Sequence, residues 1–161
     1  MKRNVLATVA LCLAVLGGCA TPPESSRLYG TFAGLSPERE LYIASDVAAQ
    51  LVALYPPAQV RLDLQHATED AFGVALIAKL RGSGYAIAER AGQARAGPDP
   101  AVMTRDQRAD AGRALRYIVD RPTPDLFRAT VLIDDESLSR AYTEARGEFL
   151  PFGAWVRKHG G

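Results

Sequence analysis

The chain opens on an uncharged apolar run of twelve residues, Val5–Leu16, preceded by Lys2 and Arg3 and followed by Gly17, Gly18 and Cys19. A positive start, a short apolar centre and a small-residue exit predict a secretory signal over residues 1–18. Twelve helical residues reach about 18 Å, well short of the roughly 30 Å hydrocarbon core, so a spanning helix is not expected. From Ser36 onward the period becomes helical. Leu41, Ala44, Val47, Ala48, Leu51, Leu54 and Tyr55 recur at three- and four-residue steps and predict one apolar helix face. Ser36 suits the cap, Pro37 the first helical position, and Glu38 and Glu40 the positive end of the dipole, while Pro56-Pro57 stops the helix.

The period then shortens to two. Val60, Leu62 and Leu64 alternate with Arg61 and Asp63, the pattern of a half-buried strand. Thr68 offers a second cap, Phe72, Ala75, Leu76, Lys79 and Leu80 follow helical spacing, and Gly82-Ser83-Gly84 closes that helix. Tyr85–Arg90 reads as a strand, which makes Val60–Glu89 a strand–helix–strand unit with right-handed parallel pairing as the default. Further on, Leu115, Tyr117 and Val119 alternate with Arg116, Ile118 and Asp120. Pro122-Thr123-Pro124-Asp125 turns the chain, and Phe127, Ala129, Val131 and Ile133 line one face of the next strand. Asp134–Ser137 turns it again, Leu138, Arg140 and Tyr142 continue as a last strand to about Arg146, and Phe149–Trp155 is an apolar tail kinked at Pro151-Phe152-Gly153. The expected fold is α/β (α+β), two helices on one face of a mixed sheet of about five strands in the order α-β-α-β-β-β-β.

Two stretches fall outside this pattern. Residues 19–35, rich in Pro, Ser and Gly, read as a tether, although Leu28, Tyr29, Phe32 and Leu35 are apolar enough to lie back on the domain or to add to a partner's surface. Ala91–Gly112 carries Gly, Pro and alternating charge with almost no large apolar residue, so it is expected to be a mobile loop inside a single domain spanning 36–158.

Composition narrows the function classes. A formal charge of +1 gives no basic face for direct nucleic-acid binding, and two Cys exclude a disulfide framework and a Cys-based zinc site. Only His66 and His159 could serve as imidazole catalysts, and neither has a carboxylate at metal-ligand spacing. Gly82-Ser83-Gly84 follows a helix and so is neither a nucleophile elbow nor a dinucleotide loop. Asp134-Asp135-Glu136 lacks the alternating oxygen ligands and central Gly of a calcium loop. No catalytic residue, metal site, cofactor or small-molecule substrate is expected. The tail differs, because Phe149, Leu150, Phe152, Trp155 and Val156 precede Arg157 and Lys158, and aromatic and Arg side chains lead in interface hot spots. Tyr29, Phe32, Phe152, Trp155 and Arg157 are therefore the candidate partner contacts.

Leu16-Gly17-Gly18-Cys19 resembles the bacterial lipobox, in which the Cys is acylated and becomes the first mature residue. That makes Cys19 a candidate lipid attachment site, and Ala20 behind it implies, by resemblance to proteobacterial lipoproteins, sorting to the outer membrane. Removing Lys2 and Arg3 leaves 17 basic against 18 acidic residues, so lipid and not a basic patch would do the anchoring.

Three stretches together resemble the conjugal transfer protein TrbH family. These are the lipobox; Gln50–Pro57 with Arg61–Gln65, Asp70–Gly73 and Gly84–Ala86; and Ser139–Tyr142 with Pro151–Lys158. Tyr55-Pro56-Pro57 and Ala71-Phe72-Gly73 are the more distinctive parts. The resemblance implies a lipoprotein of the mating-pair apparatus, part of a type IV secretion system that moves plasmid DNA between Gram-negative cells, with other secretion-channel proteins as partners. Rival readings are an exclusion lipoprotein acting in the recipient cell and a periplasmic ligand-binding lipoprotein.

Overall fold

A computed structural model describes residues 28–89 and 112–160. The signal expected over 1–18, Cys19 and nearly all of 91–112 lie outside the described residues. Among the described residues, no helix is long and apolar enough to cross a membrane.

Helix α1, Pro37–Leu54, turns Ile43, Ala44, Val47, Ala48 and Leu51 inward. Leu41, expected on that face, is about half exposed, and Glu40 is buried in its stead. Ser36 holds the N-cap position through its backbone carbonyl, which accepts from the amides of Arg39 and Glu40, both at 3.0 Å. Its hydroxyl makes no cap bond and pairs instead with the Glu38 carboxylate. A short 3₁₀ turn over Pro57–Gln59 leads into strand β2, Arg61–Leu64. Helix α2, Ala71–Gly82, buries Phe72, Gly73, Leu76, Ile77 and Leu80. Its cap is Asp70, whose side chain accepts from the amide of Gly73, and not Thr68. Asp70 stands immediately before the first helical residue, within reach of that third-position amide.

Strand β3, Ala86–Glu89, pairs parallel with β2, which pairs parallel with β4, Arg113–Thr123. Strands β5, Leu126–Ile133, and β6, Glu136–Ala145, then continue antiparallel. The α+β class with two helices and a mixed sheet is as expected, but the sheet is larger by a strand at each end of the chain. Strand β1, Gly30–Thr31, pairs parallel with β4 at Ile118 and Val119. Part of the stretch read as tether thus belongs to the sheet, with Ala33 buried and Leu35 packed on the core, so the domain begins before Ser36. The tail read as kinked is strand β7, Glu148–His159, paired antiparallel with β6. Gly153 (φ 90°) does not end this strand; the register shift falls across it, between the pairs Ser139–Val156 and Ala141–Phe152, as a bulge. The order is β3-β2-β4-β5-β6-β7, with β1 beside β4.

One side of the sheet packs on the helices. Leu62, Leu64, Leu115, Tyr117, Val119, Ala129, Val131, Ile133, Leu138 and Tyr142 face Ile43, Val47, Leu51, Phe72, Leu76 and Leu80 in one core. Each fully buried large aliphatic or aromatic side chain in such a core contributes about 1.5–3 kcal/mol by leaving water.

Candidate interaction surface

The polar groups in and around this core have identifiable structural work. β1 and β2 share one edge of β4, β2 along Arg113–Leu115 and β1 along Ile118–Val119. His66 sits at the gap between them. The Tyr117 amide donates to His66 Nε2 at 3.3 Å, and His66 Nδ1 lies 3.1 Å from the Ala67 carbonyl. These partners require the neutral tautomer with the proton on Nδ1. Burial holds the imidazole pKa below its ordinary value, and Tyr29 stacks on the ring at 5.6 Å. His66 thus completes the β4 ladder where no strand of the described residues reaches it.

Beside it, two carboxylates meet the N-terminus of α2. Asp70 accepts from the Gly73 amide at 2.7 Å, and Glu40, reaching across from α1, accepts from the Phe72 amide at 2.9 Å. Both satisfy amides that the helix itself leaves open. Burial, reinforced by Asp70, raises the Glu40 pKa against the opposing effect of its backbone bond. The Tyr117 hydroxyl donates to Asp70, with oxygens at 2.9 and 3.1 Å, and burial first and Asp70 second push its pKa up. This approach accounts for Gly73, since a Cβ there would lie 2.0 Å from the Tyr117 hydroxyl.

A second tie links α1 to β6 and, through Arg140, to β7. Asp46 receives both a 2.8 Å bond from the Tyr142 hydroxyl and the Arg140 guanidinium at 3.0 Å to each oxygen. Arg140 also donates to the Gly153 carbonyl at 3.1 Å, and its guanidinium lies 5.8 Å from the Trp155 ring centre. It therefore pins the bulge. At the C-terminal end of α1, the Tyr85 hydroxyl donates to the carbonyls of Leu51 and Tyr55. Glu136, 4% exposed, pairs with Arg157 and faces the Tyr55 hydroxyl, and the Arg157 bond chiefly lowers its pKa. Among the described residues, no group of three or more His, Cys, Asp or Glu could hold a metal ion.

The candidate contacts separate into two sets. Tyr29, Trp155 and Arg157 are engaged within the domain: Tyr29 on His66 and Arg116, Trp155 on the core and Arg140, and Arg157 on Glu136. Phe32 and Phe152 are free to meet another surface, 56% and 62% exposed. Both belong to the sheet face away from the helices, Phe152 through its pairing with Ala141 and Phe32 one residue beyond β1. Leu150 and Val156 are exposed beside Phe152, a pair the sequence reading did not single out. Strict alternation about Phe152 finds both, Leu150 two positions before it and Val156 four positions after it. Cys19 lies outside the described residues.

Fold and surface define a two-layer α+β domain whose polar residues tie helices to sheet and whose other sheet face offers apolar side chains. The family model described as conjugal transfer protein TrbH matches residues 23–159. The chain therefore belongs to the TrbH family and is a conjugal transfer component, which makes other proteins of the transfer apparatus its partners in kind. No curated protein and no solved structure matches it.

Proposed function

We propose that this protein is a lipid-anchored structural part of a conjugative type IV secretion apparatus, held at the outer membrane with its domain in the periplasm. The family match over residues 23–159 carries the reading, because it begins four residues behind Cys19 and its lipobox-like approach. Acylated Cys19 becomes the first mature residue, and two or more acyl chains hold the protein stably where one would not. The eight residues between Cys19 and Leu28, nine chain steps in all, span at most about 30 Å, which keeps the domain near the membrane surface. The role is one of assembly and not catalysis. Its support is that His66, Glu40, Asp70, Tyr117 and Glu136, the groups chemistry would need, have structural partners. Other proteins of the secretion channel meet the domain, and nucleic acid does not.

Cell fractionation after labelling with a radioactive fatty acid tests the anchor. The wild type should carry label and sediment with the outer membrane, and Cys19→Ala should lose the label and leave the membrane fraction. An unlabelled wild type, or a variant that stays in the outer membrane, would contradict the reading.

A further inference from the structure

On β6, Leu138 and Tyr142 are buried against the helices, so Ser137, Ser139, Ala141, Thr143 and Ala145 face the other way. Their β7 partners are Lys158, Val156, Phe152, Leu150 and Glu148. Paired residues share a face, so the helix-free side of β7 reads Glu148, Leu150, Phe152, Val156, Lys158. The bulge at Gly153 takes up two extra residues, so Val156, four positions on, stands at the next place in that row after Phe152. Leu150 is 40% exposed, Phe152 62% and Val156 50%. Three apolar side chains thus stand between an acid and a base, and neither charge makes an ion pair among the described residues.

This row is complementary to its own reverse. Turned end for end, Glu148 meets Lys158, Leu150 meets Val156, and Phe152 meets itself. An interface about a two-fold axis demands such a pattern, since residue i must contact j while j contacts i. We infer that the helix-free face of β7 binds a second copy of this chain, antiparallel, with Phe152 on the two-fold axis. The charge arrangement selects a like copy, because a partner of uniform charge would satisfy one end of the row and oppose the other. The copies meet face to face and not edge to edge. Pro151 has no amide to offer a neighbouring strand, and the bulge at Gly153 breaks the straight edge such pairing needs.

Site-directed crosslinking of the full chain in the cell envelope tests this contact independently of the lipid anchor. Leu150→Cys and Val156→Cys chains are produced together and separately, then treated with a short bismaleimide; Phe152 is kept, and the parent chain serves as control. The mixture should give a dimer well above either variant alone and above the parent. In that background Glu148→Lys or Lys158→Glu should each lower dimer yield about five-fold, and both together should restore it. Unchanged urea midpoints for the charge variants would establish that the domain still folds. No dimer above the parent, adducts only of other masses, or a yield indifferent to charge reversal would overturn the inference.

Discussion

Replacing Gly73 with Ala tests the closest approach in the fold. In an ordinary helix interior the change gains about 1 kcal/mol, because Ala forms helix better than Gly. Here the new Cβ would stand 2.0 Å from the Tyr117 hydroxyl and 2.9 Å from both Tyr117 Cζ and Thr68 Cγ2. Non-bonded heavy atoms prefer roughly 3.5–4.0 Å, so the phenol must retreat by more than about 1 Å. That retreat breaks its 2.9 and 3.1 Å bonds to Asp70. Losing a hydrogen bond to a charged group costs about 1.5–3 kcal/mol, and overpacking adds about 1–3. Set against the helix gain, Gly73→Ala should destabilise the domain by about 1.5–5 kcal/mol. Tyr117→Phe removes the same bond and the closest of the clashing atoms, so the double variant should fall short of the summed single effects by about 1.5–3 kcal/mol. Urea unfolding followed through Trp155, the chain's one tryptophan, reads all four corners of the cycle. A Gly73→Ala protein as stable as wild type, or strict additivity, would refute the argument.

Three other substitutions probe the remaining ties. His66→Ala should cost about 1–3 kcal/mol near pH 7.5 by leaving the Tyr117 amide without an acceptor. The folded-state pKa of His66 is lowered, so its contribution is full above the unfolded value of about 6.5 and declines as pH falls toward the folded value; the gap between wild type and variant should narrow over that range by at most about 1.4 kcal/mol per pH unit. A gap that widens on acidification would contradict the neutral tautomer. Glu40→Gln keeps an acceptor for the Phe72 amide while removing a charge that burial disfavours, so its stability at pH 7 should lie within about 1 kcal/mol of wild type, against a loss of about 1–3 for Glu40→Ala; equal losses in chemical unfolding would remove the capping role. Arg140→Ala should cost about 1–3 kcal/mol and raise amide hydrogen exchange along β7 while leaving β4 and β5 protected, whereas a uniform rise across the sheet would deny Arg140 its hold on the bulge.

The parts of the fold legible in the sequence are those in which burial follows a regular period. Ala44 to Leu51 announce α1, and Phe127 to Ile133 announce β5, because one face of each is buried throughout. The two strands missed lack that condition. β1 is two residues long, too short for any period, and its pairing depends on β4 nearly ninety residues away. β7 contains Pro151 and Gly153, which read as breakers because neither suits the interior of a sheet; an edge strand with a bulge accepts both. The capping error has a similar origin, since Thr68 and Asp70 are both able caps and only the helix start decides between them. At the surface, the apolar tail was legible as composition. Its division between Trp155, turned to the core, and Phe152, turned away, follows plain alternation over three positions; what no count of residues reveals is the bulge that makes Val156 the next exposed neighbour of Phe152 along the row. The stretches that resemble the family include Gly73, Tyr85, Arg140 and Tyr142, residues that hold helices to sheet.

The central claim is that the domain serves conjugation while fixed to the outer membrane through Cys19. Plasmid transfer from a donor deleted for this gene, complemented by wild type or by Cys19→Ala, tests it most directly. The account predicts that deletion abolishes donation and that only the acylatable form restores it. Normal donation by the deleted strain, or full rescue by Cys19→Ala, would contradict it.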